Sequence, residues 1–264
     1  MSKKDMTNSD LNDLGRAKAL LENPSFAVKA MNMVGSPIEK GLKLLPANWS
    51  EKVQVATRTA LDKALHVAIG TMRPSTEIES SDAWHKVAVG LSGALGGAFG
   101  LPALVVELPV TTTIMLRSIA EIARSKGEDP RSPETAMACM EVFALGGPTT
   151  SDDASESGYF AVRMALAKAV SEAASFIAEK GLVEEGAPVL VRLIASIAAR
   201  FGVVVGEKAA AQIVPVIGAA GGAAVNVAFM DHFQDMAEGH FTVRHLERKY
   251  GAEMVRAAYD RLPR

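Results

Sequence analysis

The sequence predicts an all-α fold, a single multi-helix domain of about ten to twelve helices built around two glycine-rich apolar helical hairpins. Three observations lead to this prediction. Helix-capping residues followed by proline or an acidic residue recur along the chain, apolar residues repeat at helical spacing, and no segment shows the sustained alternation of a β-strand.

Capping motifs place the helices of the first third of the chain. Residues 36–39 (Ser-Pro-Ile-Glu) predict a short helix that ends at Leu45. Residues 48–51 (Asn-Trp-Ser-Glu) start another helix, which extends to about Met72. Its apolar stripe consists of Val53, Ala56, Ala60, Leu61, Ala64, Leu65 and Ala68.

The second half of the chain contains similar capping motifs. Residues 132–134 (Ser-Pro-Glu) open a helix that the glycines at 146–147 end, and Asp153 with Glu156 caps a long helix ending at Lys180. The loop between these helices is short enough to be a connection rather than a domain boundary.

Composition limits the domain organisation and the class of partner. We expect a polar, partly frayed N-terminal segment at residues 1–35 and one helical domain at residues 36–264. A net charge of -2 with 22% charged residues makes nucleic acid an unsuitable partner. The single cysteine, Cys139, cannot form an internal disulfide, and the first residues lack the apolar core of a signal peptide, which indicates a cytoplasmic protein.

Residues 87–106 and 209–230 contain no charged residue. Each run is long enough, at about 1.5 Å per residue, to cross a hydrocarbon core of about 30 Å. Glycines spaced four apart, together with Pro102 and Pro215, instead favour closely packed shorter helices. We therefore expect peripheral rather than spanning membrane contact, with buried core helices, interfacial hairpins and true spans as the three alternatives.

The two runs resemble each other at an offset of 124 residues, which aligns Gly97 with Gly221 and Glu107 with Asp231. Chance matching in an Ala/Gly-rich chain is the alternative explanation. If the repeat is real, the two units pack about a pseudo-twofold axis. The acids that end the two runs continue from apolar hairpins, so we expect them to be only partly solvated and to have partners, because an unpaired buried charge is costly. We expect a polar cluster where the hairpins meet. The candidate cluster, or ligand-binding site, consists of Glu107, Thr111, Thr112, Asp231, His232 and Asp235. Candidate cations are Arg117, Arg124 and Arg163, and the alternative is that both acids face water.

One helix face carries four residues that could bind a metal ion. Asp231, Asp235, Glu238 and His245 share that face if the helix is unbroken, and His232 and His240 lie nearby. Such ligands suit zinc, iron or manganese. A solvated polar face and a buried polar cluster without metal are the alternatives. No metal or other cofactor is implied by the sequence, and no catalytic residue is assigned.

Two further groups are candidates for contact with acidic lipid head groups. They are Tyr159 and Phe160 with Arg163, and Arg244 with residues 248–249 (Arg-Lys). Cations at a helix C-terminus are the simpler explanation for the second group, because a glycine follows.

Several segments together resemble the EcsC protein family of bacteria, over roughly residues 36–259. The main ones are 96–102 (GGAFGLP), 107–113 (ELPVTTT), 141–147 (EVFALGG), 158–163 (GYFAVR), 229–233 (FMDHF) and 240–244 (HFTVR).

The resemblance implies a membrane-associated protein, in a family named for a protein encoded beside an ABC-type transporter operon, and it supplies no catalytic residues. We therefore expect a non-enzymatic, cytoplasmic protein, peripheral at the inner face of the membrane. It would bind membrane lipid or an apolar ligand and assist a transporter or envelope process. The alternatives are a metal-dependent enzyme using a carboxylate and histidine cluster, and a structural interaction module. A transporter component and a second copy of the chain are further candidate partners.

Overall fold

The computed structural model describes residues 6–22, 26, 30, 43, 48–71, 100–147, 158–180, 186–213 and 218–263. Within these residues the chain forms eight helices and no strand, which confirms the all-α prediction. The helices are α1 (Asn8–Glu22), α2 (Trp49–Thr71), α3 (Gly100–Ser125), α4 (Pro133–Leu145), α5 (Gly158–Lys180), α6 (Pro188–Ile213), α7 (Gly218–Tyr250) and α8 (Ala252–Arg261).

The predicted number of helices, ten to twelve, is not reached within the described part of the chain. Three predicted features lie outside the described residues. They are the short helix at 36–45, of which only Lys43 is described, the caps Asp153 and Glu156, and most of the first hairpin. The arrangement of two central glycine-rich hairpins is therefore not confirmed.

Helix α2 follows its predicted pattern. It begins at Trp49 and ends at Thr71, and all seven residues of the predicted apolar stripe are buried. The charged and polar residues on its other face are exposed, and α2 packs its apolar face against α3 and α6.

Helix α4 is a central helix of the described fold. Its N-terminus is capped as predicted, because Ser132 accepts a hydrogen bond from the backbone N–H of Thr135 and Pro133 occupies the first turn. Every residue from Thr135 to Leu145 is buried, as expected for a helix that is apolar on all sides and packed against α2, α3, α5, α6 and α7. Burial raises the pKa of the Cys139 thiol to about 12, so that thiol stays protonated at neutral pH.

A phenylalanine cluster joins α4, α6 and α7. Phe143, Phe201 and Phe233 are fully buried, and their ring centroids lie 5.1 to 5.6 Å apart. Phe229 extends the cluster along α7 with edge-on and stacked contacts. The second charge-free run is divided between two of these helices, since α6 ends at Ile213 and α7 begins at Gly218.

The N-terminal segment, expected to be polar and partly frayed over residues 1–35, contains a packed helix. Leu14 and Ala17 of α1 are buried against α7. A Cβ atom at Gly239 of α7 would lie only 2.7 Å from Cγ of Leu21, so the close approach of the two helices depends on that glycine. Helix α1 is therefore part of the core.

One helix in the described part of the chain, over residues 188–212 of α6, is long and apolar enough to cross a membrane by length and composition. Less than half of its most apolar stretch is buried. Buried core helices of soluble proteins meet the same criterion, so this feature alone does not place the chain in a membrane.

Candidate ligand-binding site

Glu107, which follows the first charge-free run, has a charged partner. Its Oε1 atom accepts a hydrogen bond from Nζ of Lys208 at 2.9 Å and another from Oγ1 of Thr111 at 3.3 Å. Lys208 is fully buried, and its Nζ lies 4.7 Å from the ring centroid of Phe229. Glu107 thus has a partner, as expected, but the cation is a lysine of α6 rather than one of the candidate arginines.

The other members of the predicted cluster have different environments. Asp231 is exposed and Asp235 is half-buried, whereas Glu107 is nearly buried. His232 is buried and donates a hydrogen bond from Nε2 to the carbonyl oxygen of Gly146 at 2.9 Å. It thereby satisfies a backbone acceptor at the C-terminal end of α4. Thr112 is buried beside Thr111 on α3. Of the two aligned acids, Glu107 therefore has a buried partner, whereas Asp231 faces solvent, as the alternative expects for it.

The four candidate metal ligands lie on α7, and two of them, Glu238 and His245, take part in other interactions. Glu238 forms an ion pair with Lys126, and Nδ1 of His245 donates to the backbone carbonyl of the same lysine at 3.1 Å. Within the described ranges, no group of three or more His, Cys, Asp or Glu side chains is placed to hold a metal ion. The metal-dependent enzyme hypothesis gains no support from these positions.

A groove of about 570 Å³ lies between α5 on one side and α4, α7 and α8 on the other. Its volume is within the usual range of small-molecule sites, about 300–1,000 Å³. The α5 side carries an apolar stripe of residues that repeat at helical spacing: Phe160, Met164, Ala167, Val170 and Ala174. Arg163, Ser171 and Ser175 line the groove beside this stripe. This stripe spans about 21 Å at about 1.5 Å per residue.

The floor of the groove contains a buried carboxyl group, Glu141 of α4. Its side chain is 6% exposed. Burial raises the pKa of Glu141 to about 7 and outweighs the opposing effect of the positive charges on Arg163 and Arg244. A carboxyl group with such a pKa can take up or release a proton near neutral pH.

Two arginines beside Glu141 are held by carboxylates. Arg163 of α5 donates two hydrogen bonds to Glu247 at 2.8 and 3.1 Å. Arg244 of α7 donates two to Glu128 at 2.8 and 3.2 Å. Bidentate pairs of this kind fix the planes of the guanidinium groups, so both positive charges have defined positions at the groove.

His240 and Tyr159 form a buried pair behind Glu141. The hydroxyl of Tyr159 lies 3.0 Å from Nδ1 of His240, and Nε2 of His240 lies 3.8 Å from Oε2 of Glu141. Burial, together with the nearby positive charges of Arg163 and Arg244, holds the pKa of His240 well below its usual value. The imidazole is therefore neutral at physiological pH.

Arg256 of α8 lines the groove beside Phe160 and Met164. Its guanidinium carbon lies 5.4 Å from the ring centroid of Phe160, and its Nη1 atom lies 3.4 Å from Sδ of Met164. The side chain of Met164 is 54% exposed. The apolar stripe is consequently open to solvent near Met164.

Most residues of this site were not predicted as a group. Tyr159, Phe160 and Arg163 were considered together as a surface for acidic head groups, and Arg244 was assigned to a separate surface. Glu141 carried no functional prediction, and His240 was predicted only to lie near the candidate metal ligands. Both occur in segments that resemble the EcsC family, and for Glu141 that resemblance was the only signal in the sequence.

Comparison with known proteins gives one match. The model of the EcsC protein family matches residues 16–246, which is most of the chain. No curated protein and no solved structure matches the chain significantly.

Proposed function

The chain belongs to the EcsC protein family, and from the geometry of its groove we propose that it is a non-enzymatic protein that binds a lipid or similar amphiphile. One observation carries the proposal. An apolar stripe about 21 Å long faces a wall of charged residues across an open groove. An acyl chain matches such a stripe, and a polar head matches the opposite wall.

Native mass spectrometry of the purified protein tests this proposal. We expect a bound lipid in the spectrum of the wild-type protein. Ala167→Trp should lower binding of a dodecyl amphiphile at least about tenfold, because Ala167 lines the stripe and an indole would fill the groove there. Ala165 is exposed on the same helix and does not line the groove, so Ala165→Trp is the matched control.

The proposal fails if neither co-purified lipid nor added amphiphile binds, or if Ala167→Trp binds as tightly as Ala165→Trp. A bound metal ion in the same spectrum would instead favour the metal-dependent alternative. A spectrum with no small molecule would favour a structural interaction module.

A second candidate function, acid–base catalysis, is favoured by the position of Glu141 beside His240. Enzymes often place a carboxyl group with a pKa near neutrality at the floor of a cavity. Incubation of the protein with the lipid recovered from it separates the two functions. We expect the lipid to be recovered unchanged, whereas a new product mass would identify an enzyme.

We also propose that the protein is cytoplasmic and contacts the inner face of the membrane peripherally. The open groove end near Met164 and the half-exposed apolar helix α6 support membrane contact. Pro102 and Pro215, which interrupt the two charge-free runs of the sequence, argue against simple spans. The protein should float with lipid vesicles and should be released from cell membranes by alkaline carbonate. Retention in the pellet after carbonate would instead indicate spans, and protein that neither floats nor carries lipid would contradict the proposal.

A further inference from the structure

Charged residues of three helices line the groove around Glu141 of α4. Arg163 and Arg244 both lie there, and both exert a positive potential on Glu141. Glu247 acts in the opposite direction, but its two oxygens already accept hydrogen bonds from Arg163. An amphiphile whose acyl chain lies on the α5 stripe would place its head group at this position.

Both arginines keep hydrogen-bonding capacity after binding their glutamates. A guanidinium group has five N–H donors, and each arginine uses two of them on its carboxylate. The side chains of Arg163 and Arg244 are 20% and 24% exposed, so they are not sealed from the groove. The site therefore offers donors and positive potential to an incoming group.

From this geometry, and resting on the proposed function, we infer that the amphiphile carries a negatively charged head, which lies between Arg163 and Arg244 and accepts a hydrogen bond from protonated Glu141. A cationic head would add a third positive charge beside the two arginines. An anionic head avoids that repulsion but requires Glu141 to be neutral, since two adjacent anions repel each other. Binding is then coupled to the uptake of one proton from solvent by the Glu141 carboxylate.

The other groups around Glu141 do not supply this proton. Burial and the two arginines keep His240 neutral by lowering its pKa, and burial raises the pKa of Tyr159 far above neutrality. Further charged residues line the outer part of the groove, on α4 and α8: Glu134, Glu253 and Arg256. Glu141, which forms the floor of the groove, has a pKa raised to about 7 and can take up this proton.

Calorimetric titration with three dodecyl probes, below their micellar concentrations, tests the inference. Dodecane-1-sulfonate is anionic throughout the pH range, dodecyltrimethylammonium is cationic, and dodecyl maltoside is uncharged. We expect the sulfonate to bind the wild-type protein most tightly. Its affinity should fall at least about fivefold between about pH 6 and about pH 8.5, because Glu141 must then gain a proton before the anion can bind.

The variant Glu141→Gln keeps a neutral hydrogen-bond donor at every pH, so it should bind the sulfonate with nearly the same affinity across this range. Glu179→Gln is the matched control, because Glu179 is an exposed acid of α5 that does not line the groove. It should keep the pH dependence of the wild-type protein.

Three results would overturn the inference: tighter binding of the ammonium probe, equal sulfonate affinity at both pH values in the wild-type protein, or an unchanged pH dependence in Glu141→Gln. Binding of the maltoside without binding of the sulfonate would also reject it, while leaving the proposed function intact. If none of the three probes binds, the proposed function and the inference both fail.

Discussion

Replacing Lys208 by methionine is expected to lower the free energy of unfolding by about 3–5 kcal/mol, the usual effect of removing one partner of a buried ion pair. Methionine fills nearly the same volume but leaves Glu107, whose side chain is only 10% exposed, without its cation. The hydroxyl of Thr111 also donates to that carboxylate, at 3.3 Å, but it carries no charge. Urea unfolding at neutral pH measures the loss.

The double variant Glu107→Leu with Lys208→Met separates the charge effect from packing. Replacing both members of a buried pair by apolar residues is often close to neutral, so the double variant should be more stable than either single variant. Such non-additivity is the sign of a direct interaction.

Asp231→Ala is the control at the aligned position. Because Asp231 is exposed, the change in the free energy of unfolding should stay within about 0.5 kcal/mol. A loss below about 1 kcal/mol for Lys208→Met, or strictly additive losses, would show that the ion pair does not stabilise the fold.

Local signals explain which parts of the fold could be predicted. The cap at Ser132, the start of α2 at Trp49 and the end of α5 at Lys180 each depend on a few neighbouring residues, and all three were predicted correctly. The buried stripe of α2 depends on helical spacing alone. The helical class and these boundaries follow from interactions within single helices.

Pairings between helices could not be predicted in the same way. Lys208 binds Glu107 across 101 residues of sequence, and Arg163 binds Glu247 across 84. Sequence spacing identifies the face of one helix but does not say which other helix packs against it. For this reason the candidate cations for Glu107 were wrong, even though the need for a partner followed from the cost of burying a charge.

Glu141 illustrates a second limit. A glutamate in a helix is usually solvated. The apolar residues on both sides of Glu141 indicate a buried helix, but they do not say which side chains of other helices lie beside this carboxyl group. It is buried because α4 is covered by other helices on nearly every side. The groove was therefore recognisable only after tertiary packing placed Glu141 beside residues of α5 and α7.

The burial of Glu141 has a second measurable consequence, in the pH dependence of stability. The pKa of this carboxyl group is raised from an ordinary value of 4.5 to about 7 in the folded protein, mainly by burial. Between these values the folded state holds a proton that the unfolded state has released, so stability falls as the pH rises through this window. The shift corresponds to about 3 kcal/mol, which is lost completely above about pH 7.

Glu141→Gln removes this contribution, because the amide stays neutral in both states. The variant and the wild-type protein should have similar free energies of unfolding at about pH 5, and at about pH 8 the variant should be more stable by about 3 kcal/mol. His240 has the opposite dependence, since its lowered pKa makes the folded state less stable as the pH falls, but it is present in both proteins and cancels in the difference. Urea unfolding of both proteins across this pH range measures the difference, with Glu179→Gln as an exposed control. A difference that stays constant from about pH 5 to about pH 8 would mean that Glu141 ionises in the folded protein as it does in the unfolded chain.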